Sequence, residues 1–250
     1  MALLDEARVR QMSNGGTRGP VVVTRGDVLT PSARSWLREH RVEVVFPQGE
    51  PEKTDGGRQE KGGAARYRTL FGAELHEKPE HMTHLKGNLL VFKDHPRIAF
   101  RGYIDLLEAE IVLCQQACVR EGYRVLAVEL EEVLGFVRRF IRFDVLDEPV
   151  GEVRLCGYSP AELREYSHYP EKHFGQPHFM LSYTDSPAVA AVNKVRAVVR
   201  QTELAAYQAF RDENGAVTRE DILLGLNRLS SLMWIMMIKL KAGKYPRESG

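Results

Sequence analysis

Within residues 194–203, KVRAVVRQTE, Arg196, Arg200 and Glu203 stand at i, i+4 and i+7, and Tyr207 extends the series by one more turn. On a helix that spacing forms one continuous stripe. Two guanidiniums a turn apart offer fixed forks of N–H donors that suit a polyphosphate. A carboxylate one turn further suits the Mg2+ that accompanies it, because that ion takes a few protein oxygens together with phosphate oxygens. The same stripe also reads as a solvated ion-pair ladder, and spacing alone favours the ladder.

Three other groups compete for attention. The stretch DILLGLNRLSSLMWIMMIK, 221–239, leaves hardly any polar face, so Asn227 and Arg228 need partners wherever they are buried. Asn227 is then either a clamp between helices or a contact to metal and ligand. In 90–110, Lys93, Arg97 and Arg101 crowd the start of a helix whose first turns hold Asp105 and Glu108. Cations at a helix N-terminus could favour an anion there, or the two acids could simply complement the helix dipole. Finally, HEKPEHMTHLKGN places His76, His81 and His84 near His95, which are possible transition-metal ligands in no recognised spacing.

The composition bounds what these groups serve. At 250 residues with 43% hydrophobic content the chain can fill a real core, and a net charge of +1 provides no global field for nucleic acid or anionic membrane. Any anion binding must be local. The three cysteines, Cys114, Cys118 and Cys156, lack C-x-x-C spacing and fit a reducing compartment. MALLDEARVRQM has no signal-peptide character, and the run LSSLMWIMMI, 229–238, reads as a buried helix, so a cytoplasmic protein is expected. Neither a P-loop, a G-x-G-x-x-G after a strand, a G-x-S-x-G elbow nor H-E-x-x-H occurs.

The elements that must position the groups follow from periodicity. Residues 1–46 read as a small N-terminal α/β element, in which two β-branched runs flank a helix started by Thr30 and Pro31. Residues 47–66, rich in Gly, Pro and charge, read as a flexible linker. Residues 67–250 read as a mainly α domain, a four- or five-helix antiparallel bundle with little strand signal. Its helices are expected to begin near 97, to cover about 123–146, to open with the capping box at Ser159 and Glu162, to run from Ser186 to about 212, and to cover about 219–242 after a Thr218 cap.

In order along the chain, KDHPRIAFRGYIDLLEAEI, RAVVRQTE and LNRLSSLMWIM resemble the ATP:cob(I)alamin adenosyltransferases. The N-terminal LTPSARSWLREHRVEVVF and the segment KPEHMTHLKGNLLVFKDHPRIAFRG bring the chain closer to the ethanolamine-utilisation branch than to the propanediol branch. The resemblance implies transfer of the 5′-deoxyadenosyl group of ATP to Co(I) of cobalamin, release of triphosphate, and a requirement for Mg2+. It implies that Arg196 and Arg200 hold the ATP phosphates and that Glu203 and Asn227 serve the Mg2+ site. It further implies that Asp105 pairs with Arg196 across a subunit interface, that Lys93 neighbours phosphate, and that Phe179 in HFML keeps a lower axial ligand off cobalt. A homo-oligomer, dimer or trimer, and ethanolamine ammonia-lyase as product user, with that enzyme or its reactivase as partner, within or beside a bacterial microcompartment, complete the expectation.

The chain departs from the family pattern in several places. Gln201 and Leu204 replace two arginines of R-R-A-E-R, and Ser231 replaces the acid of L-N-R-L-S-D. The Gly-rich phosphate loop of the propanediol branch has no counterpart, since TRGDVLT at 24–30 lies too far upstream, and residues 66–75 lack the cysteines of a metal motif found in some ethanolamine-type members. A non-catalytic corrinoid- or nucleotide-binding chaperone or regulator, and a structural bundle subunit, are the competing readings.

Overall fold

The computed structural model describes residues 3–13, 21–23, 28–30, 32–33, 36–37, 40, 42, 44–45 and 66–248. The expected linker at 47–66 and Pro31 lie almost entirely or wholly outside them. Two compact units, 1–62 and 63–250, divide the chain.

In the first unit, β1 (Leu3–Leu4) pairs in parallel with β3 (Val28–Leu29), and β2 (Val21–Val22) pairs in parallel with β4 (Val44–Val45), with α1 (Glu6–Met12) between β1 and β2. Parallel pairing requires a crossover, and Thr30 opens its helical part by accepting the Ala33 N–H at 3.3 Å. Leu4, Val9, Val21, Val23, Ala33, Trp36 and Leu37 form its small core.

The second unit begins with a sheet that the sequence reading did not anticipate. Its strands β5 (Tyr67–Thr69), β6 (Glu74–Leu75), β7 (Met82–Lys86) and β8 (Leu89–Phe92) lie in the order β6-β5-β8-β7. The strands are short, and a register shift between His84 and Lys86 breaks the alternation that would mark β7. The buried residues of β7 are therefore Met82 and Leu85, three apart.

Four long helices follow: α2 (Pro96–Arg120), α3 (Arg124–Val145), α6 (Pro187–Phe210) and α7 (Glu220–Lys241), with the short α4 (Pro160–His168) and α5 (Pro170–Phe174) between α3 and α6. Local chemistry sets their starts. His95 accepts the Arg97 N–H ahead of Pro96, Ser159 and Glu162 form the reciprocal capping box, and Ser186 accepts the Val189 N–H ahead of Pro187. Thr218 does not cap α7 as expected. Its hydroxyl donates to the Phe210 carbonyl at 2.9 Å, so it closes the turn from α6 instead.

Direction is read from pairs along the bundle. Phe100 meets Phe210 and Lys194 meets Glu110, so α6 runs antiparallel to α2. Lys239 meets Glu129 and Arg219 meets the Phe143 carbonyl, so α7 runs antiparallel to α3. Consequently α3 and α6 point the same way, and the chain between them, 146–186, must return along the bundle. The core joins Ile104, Leu107, Leu130, Phe140, Val195, Val199, Leu226 and Met233, all fully buried. Helix α7 is long and apolar enough to cross a membrane by length and composition, yet its apolar side chains pack inside the bundle. Gly225 sits where a Cβ would meet the Phe140 ring at 3.2 Å, so glycine sets how closely α7 approaches α3.

Two acids, Asp144 buried and Asp221 partly buried, tie one end of the bundle. Asp144, with no exposed surface, receives Arg97 Nε at 2.5 Å and Arg101 Nε at 2.6 Å, while the Arg101 guanidinium also reaches the His84 and Leu85 carbonyls of β7 at 3.1 and 2.7 Å. Arg97 and Arg101, read from sequence as anion-attracting cations, are thus consumed in fastening the sheet and α2 to the end of α3. At the same end Asp221 accepts Arg219 and the Val150 N–H at 2.9 and 3.0 Å. Burial works against the Asp221 carboxylate, but the Arg219 and Val150 hydrogen bonds outweigh it and hold its pKa below the usual carboxylate range.

Removing a partner from a buried ion pair leaves uncompensated charge, so Asp144→Ala should lower the unfolding free energy by about 3–5 kcal/mol in urea titrations. Asp221 has a folded pKa below its unfolded value, so it adds stability above about pH 4 and loses it as pH falls through the folded value. Asp221→Asn should therefore lower stability at neutral pH and flatten its acid dependence, as measured by urea midpoints between pH 2 and pH 7.

Candidate active site

Helix α6 buries Val192, Val195, Val199, Thr202 and Ala206, and the Arg196, Arg200, Glu203 stripe lies one residue further round the helix. It faces a second polar stripe on α7. Asn227, Ser231 and Trp234 there repeat the i, i+4, i+7 spacing, beside Arg228 and Ser230. The returning segment supplies a third wall, with Arg164, Ser167 and His168 from α4 and His178 beyond α5. The cleft they enclose measures about 620 Å³.

Its polar contacts are specific. Asn227 Nδ2 donates to Glu203 Oε1 at 3.1 Å, and Arg228 Nη1 donates to Asn227 Oδ1 at 2.8 Å. Asn227 thus clamps α7 to α6 through Glu203, and its oxygen accepts from Arg228. The Nε atoms of both Arg196 and Arg228 are buried without a hydrogen-bond partner. Burial and the neighbouring Arg200 both lower the Arg196 pKa, and burial followed by Arg164 lowers that of Arg228, with Glu203 opposing the second shift. Both remain cations at neutral pH. None of Arg164, Arg196, Arg200 or Arg228 is in an ion pair among the described residues. The ion-pair ladder suggested by spacing is absent, and the cleft holds positive charge in search of an anion.

One end of the cleft is aromatic. Phe179 stacks on Trp234 with centroids 5.2 Å apart and planes 20° apart, His178 stacks on the same indole at 5.6 Å and 14°, and the Arg196 guanidinium lies over it at 5.4 Å. His178 Nε2 donates to the His168 carbonyl at 3.2 Å, and Lys241 sits 5.2 Å from the Phe179 centroid. Beyond them Met180 and Tyr183 are 92% and 99% exposed, so an apolar rim continues outward from Phe179.

The structure therefore gathers Arg196, Arg200, Glu203, Asn227 and Phe179 around one cleft. Lys93 is outside it, paired with Glu80 at 3.4 Å. Asp105 is exposed on α2 and makes no ion pair with Arg196 within the chain. Nor do the histidines converge: His81 stacks on Phe92, His84 meets the edge of Tyr67, and His95 caps α2. Among the described residues no three His, Cys, Asp or Glu side chains are grouped to hold a metal. Sequence reading missed Arg164, Ser167, His168 and the role of Trp234. For Trp234 the signal was present, because it continues the Asn227 stripe.

The sequence profile of the family described as Cobalamin adenosyltransferase matches residues 74–240. Corrinoid adenosyltransferase EutT of Salmonella typhimurium is 31% identical over 229 residues, spanning 87% of this chain and 84% of that protein. Its counterpart in Escherichia coli is 30% identical over the same extent. Among solved structures, a variant PduO-type ATP:corrinoid adenosyltransferase from Lactobacillus reuteri complexed with cobalamin and ATP is 20% identical with a TM-score of 0.49, spanning 68% of this chain and 92% of that one. With the profile covering most of the bundle and curated relatives alike over most of their length, the chain belongs to the cobalamin adenosyltransferase family.

Proposed function

We propose that this protein is an ATP:corrinoid adenosyltransferase of the EutT type, which joins the 5′-deoxyadenosyl group of ATP to Co(I) of a corrinoid and releases triphosphate. The observation that carries the reading is the cleft itself: four guanidiniums that form no ion pair among the described residues, next to an aromatic wall. A polyanionic leaving group needs the first, and an unliganded cobalt face needs the second.

In the reaction the Co(I) electron pair forms the cobalt–carbon bond as the C5′–O bond breaks, and the departing electron pair remains on the triphosphate oxygen. Charge therefore accumulates on the triphosphate. Arg196 and Arg200 are placed to meet it, and Trp234 keeps the Arg196 plane fixed so that little reorganisation accompanies the step. Phe179, braced on Trp234, excludes water from the corrinoid face. The corrinoid provides the nucleophile, and the protein provides alignment and electrostatics.

Mg2+ fits as an ion shared between Glu203 and phosphate oxygens. Glu203 keeps one carboxylate oxygen free of protein partners while Asn227 fixes the other, and one or two carboxylates suffice when phosphates complete the shell. When bound, the ion would neutralise part of the leaving-group charge. The free state of Cys114, Cys118 and Cys156 supports a cytoplasmic site of action, and the resemblance to EutT supports a role in ethanolamine utilisation with ethanolamine ammonia-lyase as user of the product, in or beside a microcompartment. The resemblance to EutT supports a homo-oligomer in which Asp105, exposed on α2, shares Arg196 of a second subunit with phosphate.

Anaerobic mixing with ATP, Mg2+ and cobalamin reduced to Co(I) should yield the adenosylcobalamin spectrum. Glu203→Gln should lower kcat by about 100-fold or more, the scale of losing one preorganised charge contact. Tight binding of both substrates without product would identify a carrier, and absence of binding would sink the reading altogether.

A further inference from the structure

We propose that Arg164, brought in by the short helix α4, forms with Arg228 a second phosphate grip in the cleft, separate from Arg196 and Arg200. The proposal rests on the transferase reading and concerns which residues hold its phosphate-bearing substrates.

The placement of Arg164 is built rather than incidental. The Ser159–Glu162 capping box fixes where α4 starts, and Leu163 and Ser167 are buried beneath it. Arg164 and His168, at i and i+4, are thereby turned together onto the cleft wall. Across from them Arg228 is anchored through its hydrogen bond to Asn227, while its buried Nε has no partner. Among the described residues Glu203 alone offsets Arg228, and only in part, against burial and the neighbouring Arg164. Glu203 Oε1 is held by Asn227, and position 231, where an acid at i+3 could pair with Arg228, is serine. The remaining lining here, Ser167, His168, Ser230 and Ser231, offers hydroxyls and an imidazole as hydrogen-bonding groups.

Two guanidiniums amid hydroxyls, neither in an ion pair among the described residues, match the oxygens of a phosphate better than any neutral group. The amides of a corrinoid rim could be held by neutral donors and acceptors. The phosphate has two possible sources, the triphosphate of ATP or the phosphodiester in the nucleotide loop of a complete corrinoid.

Steady-state kinetics of Arg164→Leu and Arg164→Lys, each with cobalamin and with cobinamide, which lacks that loop, test the proposal. Arg164 is exposed and in no ion pair, so both variants should fold. Arg164→Leu should raise one KM about 10-fold while kcat changes far less, and Arg164→Lys should recover part of the loss. A rise in the ATP KM with both corrinoids identifies the triphosphate, whereas a rise in the corrinoid KM with cobalamin alone identifies the nucleotide-loop phosphodiester. Unchanged KM values, or an equal rise in the corrinoid KM for cobalamin and cobinamide, would overturn the proposal. Should the unaltered protein make no product, the transferase reading fails first. Inorganic triphosphate titrated against Trp234 fluorescence in a Trp36→Phe background then still decides whether Arg164 binds phosphate, because Arg164→Leu must weaken that binding.

Discussion

Helices α3 and α6 point the same way, and most of what makes the cleft follows from that. Helices aligned in parallel cannot be joined by a tight turn, so residues 146–186 must travel back along the bundle before α6 begins. A chain returning past α7 covers one flank of it and leaves the other to α6. The cleft is the seam where that cover ends, walled by α6, α7 and α4, with Phe179 and His178 on the last part of the return. The anchors at both ends of the return are polar and specific: Arg219 binds the Phe143 and Glu148 carbonyls, and Asp185 pairs with Lys241 at 2.5 Å.

Arginine does two kinds of work here, and partner geometry separates them. Arg97, Arg101 and Arg219 have their donors spent on carboxylates and carbonyls, at distances of 2.5–3.1 Å for the bonds that fix their orientation. Their removal would cost stability. Arg164, Arg196, Arg200 and Arg228 lie in a cleft without a carboxylate partner, and two of them have a buried donor unsatisfied. Buried donors are nearly always paired, and the two buried side-chain donors left unpaired among the described residues both belong to this cleft. Folding alone gives no reason to collect four like charges there.

The division explains what could be read from sequence and what could not. Helix starts at Ser159 and Ser186 and the stripe Arg196, Arg200, Glu203 were legible because each depends on residues within a turn or two of one another. The assignment of Arg97 and Arg101 failed because their partner, Asp144, lies more than forty residues away on another helix. Even so, Asp144 carried a mark: Val133, Val137 and Phe140 precede it at helical spacing on the buried stripe, so an acid there had to find a cation. The sheet escaped notice because strands of two to five residues, one of them bulged, do not sustain a period-two pattern. Arg164 was invisible because nothing local says that α4 will lie against the polar stripe of α7. That fact belongs to the topology.

Trp234 shows why the polar and apolar halves of such a site are best joined by one rigid group. Its indole carries the Phe179 and His178 rings and the Arg196 guanidinium at 5.2, 5.6 and 5.4 Å, so the aromatic wall and the cationic end of the cleft share a single surface. Bond formation between two large substrates requires their reacting atoms to be held in line, and misplacement of about 1 Å can cost about 100-fold in rate. Separate supports on separate loops would let those errors accumulate. Trp234 sits on α7, whose flanking residues Met233, Ile235 and Met236 are fully buried, so it moves only if the core moves. The enclosed, almost wholly apolar character of α7 is therefore a functional property: it makes a stiff mount on which the few polar positions of the helix, Asn227, Arg228 and Ser231, can be held in register with the aromatic wall.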